Sequence, residues 1–378
     1  MVAEHLSRFE SDPRPAAPAA IEPAPIALDR RRGRGSEANR SGRYEPLQKV
    51  DVDDGWNTLD ELPPLKTEVQ VERPRRIIST NDSPDIGFSQ STNPYRGCEH
   101  GCTYCFARPT HAYLGLSPGL DFETRLFAKP DAARLLEREL SRRGYQPQTI
   151  AIGTNTDPYQ PIEKRYRIMR EILEVLSRAN HPVGILTKNA LVTRDIDILA
   201  PMAERGLVKV GMSVTTLDRR LARAMEPRAS TPPKRLEALR QLSTAGIPTF
   251  VMFAPVIPGL NEPEMERVLD AAKAQGVREA GYVVLRLTME VAELFKEFLL
   301  RHYPDRYAHV LSLVRSMRGG KDYDSSWGQR MSGNGPYAWQ IGSRFEIACK
   351  RLGMNPERLT LRTDLFEPPL KAAQMSLF

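Results

Sequence analysis

The sequence is short of two things that would define its surroundings: cysteine and long uninterrupted apolar runs. Four cysteines in 378 residues are too few for a disulfide scaffold, and a reducing compartment would not maintain one. No apolar run approaches the ~20 residues a transmembrane helix needs. Met1 to Ile26 is rich in Ala and Pro and carries charge from Glu4 onward. It lacks the basic start and apolar stretch of a secretory signal. These absences predict a cytoplasmic protein with no membrane partner. Acidic excess is missing too: the net charge is +7, which suits a polyanionic partner as well as an ordinary solvated basic surface. The basic run Arg30 to Arg34 reads as a tail feature.

What is present divides by texture. Residues 1–75 mix Pro, Ala, Arg, Ser and Asp with little periodicity, and such a segment buries too little apolar surface to offset its ordering entropy. A disordered leader is expected there. From Thr92 onward strand and helix signals alternate. The expected strands are Gln148–Gly153, Val183–Leu186, Leu207–Ser213, Thr249–Ala254 and Tyr282–Leu287, and the expected helices Arg165–Arg178, Arg194–Glu204, Pro233–Thr244, Glu262–Ala274 and Val291–Arg301. Apolar positions at helical spacing, such as Ile168, Ile172, Val175 and Leu176, carry the helix assignments. Alternation of this kind implies βαβ units and a parallel sheet, doubly wound or curled into a barrel. Both architectures put reactive residues in loops at the carboxyl ends of the strands. Polar motifs stand there: Thr154 to Asp157, Thr187-Lys188, Ser213, and Pro255 to Asn261.

Three of the four cysteines fall within eight residues, Cys98-Glu-His-Gly-Cys102-Thr-Tyr-Cys105. Thiolates are soft ligands for iron–sulfur clusters or zinc. Three ligands on a cubane leave a fourth, Lewis-acidic iron open. Structural zinc wants a fourth protein ligand at a defined spacing, whereas His100 is trapped between the first two cysteines and Cys349 lies far away in an apparent helix. The loop therefore favours an iron–sulfur cluster over zinc or plain buried thiols.

Cys-x3-Cys-x2-Cys with an aromatic residue, Tyr104, before the last cysteine resembles the radical S-adenosylmethionine (SAM) superfamily signature. The longer stretch from Asn93 to Pro109 is similar to the branch containing the spore photoproduct lyases. The resemblance spans roughly residues 75–350. It implies a partial (β/α)6 barrel at 76–300, a helical extension at 301–365 and a tail at 366–378. It further implies a [4Fe–4S] cluster on Cys98, Cys102 and Cys105, with SAM chelating the open iron, and an electron donor such as flavodoxin or ferredoxin. Carried over by position, Tyr104 packs near the adenine, and Thr156 and Asp157 meet the SAM amino group. Lys188 and Ser213 hold the carboxylate or ribose, and Val256-Ile257 supplies backbone hydrogen bonds to the adenine. Each has a plainer role open to it: turn initiation for Asp157, a solvated loop lysine, a strand-end serine. Their recurrence at successive strand ends favours the site.

Other residues divide between substrate contact and packing. Arg108, His111 and Tyr113 follow the cluster motif. Asp121, Glu123 and Lys129 read as segment-ordering salt bridges, and Cys349 as a buried thiol. Arg286 reads equally as an anion ligand or half of a structural ion pair. Departures from the lyase pattern matter: the strand-end cysteine that donates hydrogen in those enzymes is replaced by Gly153-Thr154, and Phe106 stands where tyrosine is usual. No cysteine lies between Cys105 and Cys349.

The chain ends Gln374-Met375-Ser376-Leu377-Phe378, which resembles the peptide by which bacterial repair proteins bind the replication sliding clamp. Gln374 would hydrogen-bond while Leu377 and Phe378 fill an apolar pocket; docking of the tail on the protein's own core is the alternative. The sequence thus supports a radical SAM enzyme acting on DNA. Two other readings stay open: a radical SAM enzyme on RNA, protein or a small molecule, and a non-catalytic metal-stabilised adaptor between DNA and clamp.

Overall fold

Ten strands organise the computed structural model, which describes residues 32–36, 38–45 and 64–369. They are β1 (Glu68–Val71), β2 (Ser79–Thr80), β3 (Gln90–Thr92), β4 (Tyr95–Arg96), β5 (Arg125–Ala128), β6 (Ile150–Ile152), β7 (Val183–Thr187), β8 (Val208–Ser213), β9 (Thr249–Val256) and β10 (Glu279–Val284). The main sheet runs β10-β9-β8-β7-β6-β3-β2. Six of its strands, β3 and β6 to β10, are parallel, and β2 closes one edge antiparallel to β3. A small sheet, β1-β5-β4, stands beside it. Six parallel strands with helical crossovers make a partial (β/α)6 barrel.

Burial alternates along β6, β7 and β9, as a period-2 side-chain pattern requires when one face is sealed and the other is not. Ile150, Ile152, Val183, Ile185, Val208 and Val210 share a core with Leu173, Leu176, Leu199 and Met202 of the outer helices. The opposite positions, Ala151, Gly184, Leu186, Phe250, Met252 and Ala254, stay partly accessible. Small residues keep this inner face open. At Gly211 a Cβ would stand 2.1 Å from the Phe250 ring, so glycine there lets the ring lie across the strand. The polar loops of the parallel strands gather at the carboxyl rim of this concave face.

Helices follow Glu163–Tyr166, Ile168–Arg178, Ile196–Glu204, Pro232–Thr244, Met265–Lys273 and Val291–His302. The helix expected as continuous from Arg165 breaks at Arg167, whose φ of 55° is left-handed. The start expected at Arg194 is instead a 3-10 turn over Ala190–Asp195, capped by the Asn189 side chain accepting from Leu191 N at 3.0 Å. The last strand lies three residues earlier than Tyr282–Leu287. Its register slips between Tyr282 and Val284, and the Val284 N–H is taken by Met331 O at 2.8 Å, which ends the regular ladder.

The boundary of the leader also moves. Within residues 1–75, β1 pairs in parallel with β5, and Arg34 donates to Glu123 O and Leu65 O, each at 3.0 Å. Asn39 and Asp121 exchange hydrogen bonds of 3.0 and 2.9 Å. Buried acceptors on the 121–124 turn give these polar residues the partners that low hydrophobicity did not predict. Beyond the barrel, Tyr307–Ser316 and Pro336–Leu352 are helical. Phe345 packs on Tyr282 with centroids 4.8 Å apart, and Cys349 is buried in the same core, its thiol pushed up to about 11 by that burial. The peptide Gln374–Phe378 lies outside the described residues.

Gly153, at the end of β6, has φ +90°, and a Cβ there would stand 1.9 Å from Leu186 O. Gly153→Ala is expected to destabilise the protein by more than about 2 kcal/mol, read as a fall in the denaturant midpoint. Wild-type stability in that variant would show the strand end to be more pliable than its contacts with β7 imply.

Candidate functional site

The cysteine loop follows β4 at the carboxyl rim, and its shape is set by backbone turns. Gly97 and Gly101 have φ of +71° and +67°. Cys98 N donates to Phe122 O at 2.9 Å, and Cys105 N to Cys102 O at 3.3 Å. Two side chains fix the loop from behind. Arg108, fully buried, donates from Nε to Cys102 O at 2.8 Å and from Nη1 to Pro118 O and Gly119 O at 3.0 and 2.9 Å; its Nη2 pairs with Glu123. Gln160, also fully buried, donates to Gly97 O at 3.0 Å and accepts from Glu99 N at 2.9 Å. Arg108 is therefore a scaffold residue and not a substrate contact.

Neighbouring residues of the motif divide between the interior and the surface. His111 is buried, with Nε2 2.9 Å from Arg125 O, and burial lowers its pKa. Tyr113 is 66% exposed and stacks on Tyr44. Among the described residues the expected ordering salt bridge of Glu123 forms, and those of Asp121 and Lys129 do not. Asp121 accepts from Ser117 N at 3.1 Å and from Asn39, and Lys129 donates to Asn93 O at 2.9 Å. A buried carboxylate or ammonium finds enough partners in backbone dipoles without a counter-charge.

Cys98 and Cys102 are buried and Cys105 is partly accessible. Burial pushes the Cys98 thiol well up, and the neighbouring Asp157, Cys102 and Cys105 add to it. Burial also pushes Cys102 up, to about 12, although Lys188 opposes it. Two thiols that burial keeps protonated, Cys98 and Cys102, suit a site whose own positive charge reverses that preference. Among the described residues no group of three or more His, Cys, Asp or Glu converges on a single metal ion. A cubane makes no such demand, because each thiolate binds a different iron. The donor set therefore fits a [4Fe–4S] cluster.

The other expected site residues join one polar framework around this loop. Asp157 accepts from Thr187 Oγ1 and Lys188 N, each at 2.7 Å, and from Tyr159 N at 2.9 Å; His100 Nδ1 lies 3.4 Å away. Burial alone would raise its pKa, but His100 and these donors bring it down to about 2. All four acceptor positions of Asp157 are engaged within the chain, so reaching a SAM amino group requires displacing one partner. Thr156 donates to Tyr95 O at 3.0 Å, and its N–H reaches Asn93 Oδ1 at 3.4 Å. The Lys188 ammonium sits 5.8 Å over the Tyr104 ring. Burial opposes its charge, yet Cys102 and Glu226 hold its pKa above the ordinary value.

Tyr104 and Thr215 both donate to Glu226, the latter at 2.6 Å, and Glu226 pairs with buried Arg235. Arg235 in turn donates to Ser213 O at 2.9 Å. Asn261 donates to Thr215 O and Pro255 O at 2.7 and 2.9 Å and accepts from Ile257 N at 2.6 Å. The Ile257 N–H is thus committed inside the chain, while Val256 O accepts from Leu285 N at 2.9 Å. Gln160, Glu226, Arg235 and Asn261 hold the site together, and sequence reading assigned none of them a role. Only Asn261, inside the Pro255–Asn261 motif, carried a visible signal.

Burial would raise the Glu226 pKa, but Arg235, Lys188, Thr215 and Tyr104 bring it down to about 2. A depressed carboxylate contributes stability that is full above its unfolded value and lost as pH falls through the folded one. Glu226→Gln strands Arg235 and is expected to cost about 3 kcal/mol or more at pH 7. The deficit should shrink by about 1 kcal/mol at pH 4, where the wild type begins to lose this contribution. Denaturant titrations of both proteins at the two pH values check this; a pH-independent difference would contradict it.

Comparison with known proteins agrees with this geometry. Residues 92–272 match the family model described as the radical SAM superfamily. An uncharacterized protein of Mycobacterium tuberculosis is 37% identical over 232 residues, 61% of this chain and 68% of the relative. An uncharacterized protein of Methanocaldococcus jannaschii is 26% identical over 243 residues, covering 64% of this chain and 87% of the relative. Among solved structures, a spore photoproduct lyase complexed with dinucleoside spore photoproduct shares the fold, with a TM-score of 0.55 and 17% identity over 76% of this chain and 80% of the other. A three-cysteine loop at the carboxyl rim of a partial barrel, in a chain matched by that family model, makes this protein a member of the radical SAM superfamily, whose members bind a [4Fe–4S] cluster and SAM.

Proposed function

We propose that this radical SAM enzyme acts on nucleic acid, in the repair or modification of DNA, with its cluster on Cys98, Cys102 and Cys105. The observation that carries the chemistry is the three-cysteine loop set against the polar strand ends, with His100 beside Asp157 and the Lys188 ammonium over Tyr104. A [4Fe–4S] cluster held by Cys98, Cys102 and Cys105 would supply the one-electron reductive chemistry that radical SAM enzymes use on SAM. The chain's own residues bind and orient. Thr156 and Asp157 flank the amino-group end of SAM, and Lys188 supplies a cation for the carboxylate. Ser213 borders the ribose, and Tyr104 with Val256-Ile257 walls the adenine. Arg235, Glu226 and Thr215 keep Tyr104 and Ser213 in register, and the burial of that network excludes water from the reacting face.

The DNA half of the reading draws on three observations of different kinds: the net charge of +7, the nucleoside-bound lyase that shares the fold, and the clamp-like peptide Gln374–Phe378. Clamp docking through Leu377 and Phe378, a flavodoxin or ferredoxin as electron donor, and a cytoplasmic setting belong to the same proposal. No helix among the described residues is long and apolar enough to cross a membrane. The relay of the lyases lacks its cysteine here: Gly153-Thr154 stands at that strand end, and a side chain at 153 itself would meet Leu186 O.

The test is anaerobic reconstitution followed by SAM and dithionite, with 5′-deoxyadenosine quantified with and without ultraviolet-irradiated DNA. Product that rises with damaged DNA supports the proposal, whereas product indifferent to DNA overturns its substrate half. Cys98→Ala, Cys102→Ala and Cys105→Ala are each expected to lose the visible iron–sulfur absorbance and to lower 5′-deoxyadenosine at least about 100-fold, the scale on which loss of an essential centre is read.

A further inference from the structure

Arg286 stands just past β10, at the carboxyl rim, and is incompletely satisfied. Its guanidinium lies between two aromatic rings, 5.2 Å from the Phe106 centroid and 5.8 Å from that of Tyr323. Its polar contacts are weak: Nη2 to Tyr323 Oη at 3.3 Å and Nη1 to Met331 Sδ at 3.8 Å. Nε is sealed from solvent with no hydrogen-bond partner. Among the described residues no carboxylate pairs with Arg286, so the structural ion pair open to it in the sequence does not form. Burying an unsatisfied donor on a charged group is unfavourable, and a ligand that offers an acceptor would complete it.

The surroundings say what kind of ligand. Arg318, buried behind the same loop, donates to Gln329 O and Leu285 O at 2.7 and 3.2 Å and leaves its own Nε unpartnered. Asp324 acts on Arg318 only from a distance, and neither arginine has an ion pair among the described residues, so the pair of guanidinium groups favours an anion. Phe106 directly follows the cluster ligand Cys105 and is 46% exposed, so the anion sits next to the reacting centre. Four residues on, Glu290 holds Arg43 at 3.0 Å. Arg43 covers the Tyr44–Tyr113 stack at 5.4 and 5.8 Å, whose rings are 5.3 Å apart and 58% and 66% exposed. A forked cation beside exposed aromatic faces is the combination that binds a single strand, with the phosphate on arginine and bases on the rings.

We propose that Arg286, held between Phe106 and Tyr323, is the phosphate-binding subsite of the active-site rim, gripping a phosphodiester of a single-stranded or locally opened nucleic acid. This rests on the nucleic-acid reading above and assigns it a residue. Phe106 offers the adjacent base a stacking face, and the Tyr44–Tyr113 pair extends the track along the rim.

The test uses the full chain with its cluster reconstituted and a fluorescein-labelled single-stranded DNA oligonucleotide, followed by anisotropy at several salt concentrations. R286Q is expected to weaken binding about 10-fold or more and to reduce the slope of log K against log salt by about 0.7, one single-strand phosphate contact. R286K keeps the charge but loses the planar fork. It should restore the slope while leaving affinity several-fold below wild type, and it carries the test alone if R286Q fails to fold. Wild-type affinity and slope in R286Q, or wild-type affinity in R286K, overturns the assignment while leaving the nucleic-acid reading intact. Loss of SAM affinity in R286Q with strand binding unchanged also overturns it, giving the anion to the cofactor carboxylate. A wild-type protein that ignores the oligonucleotide at low salt overturns the nucleic-acid reading and the subsite together.

Discussion

Everything in the reactive half of this molecule hangs on the buried pair of Arg108 and Glu123. Neither side chain has any exposure, and a buried pair is tolerable only when its remaining donors and acceptors are also satisfied. Here they are put to structural use. Arg108 takes the carbonyls of Cys102, Pro118 and Gly119, so it spans the cluster loop and the turn that backs it. Glu123 takes the N–H groups of Gly35 and Ser36, each at 2.8 Å, and so draws a distant N-terminal stretch against the same loop. Gly101 is part of the arrangement, since a Cβ there would stand 2.7 Å from Glu123 Oε2. One ion pair thus sets the path of the three cysteines and the wall beside them.

A second constraint comes from the sheet. Parallel strands must place their loops on one rim, and the small residues Ala151, Gly184 and Ala254 stand on the partly accessible face of this one. The rim is then cross-linked by polar side chains that each join two strand ends. Asp157 ties the end of β6 to that of β7 through Thr187 and Lys188, and Asn261 ties β8 to β9 through Thr215 and Pro255. Glu226 and Arg235 link Tyr104 of the cluster loop to Ser213. Such networks are stabilising only when complete; outside this one, Arg286 and Arg318 each keep a buried polar atom without a partner.

Much of this was legible in the sequence, for physical reasons. Buried parallel strands announce themselves as short apolar runs, so β7, β8 and β9 fell close to Val183–Leu186, Leu207–Ser213 and Thr249–Ala254. Three cysteines in eight residues declare a soft-metal site without any knowledge of the fold. What stayed hidden depends on long-range pairing. Gln160, Glu226 and Arg235 are single polar residues with no periodicity, and their roles exist only once the loop is folded over them. The contacts of Arg34, Gly35, Ser36 and Asn39 with Asp121 and Glu123 were unreadable for the same reason, because those two residues lie more than eighty positions away. The register slip at Tyr282 depends on Met331, which no local pattern reveals.

The account therefore turns on whether the Cys98–Cys105 loop presents a cluster with an iron left open beside Lys188 and Tyr104. Electron paramagnetic resonance of the dithionite-reduced, reconstituted protein, recorded before and after addition of SAM, tests this most directly. The account predicts a reduced [4Fe–4S] signal whose g values move when SAM is added, because the cofactor binds the open iron. A signal that SAM leaves unmoved, or a purified protein that holds zinc in place of iron, would contradict it.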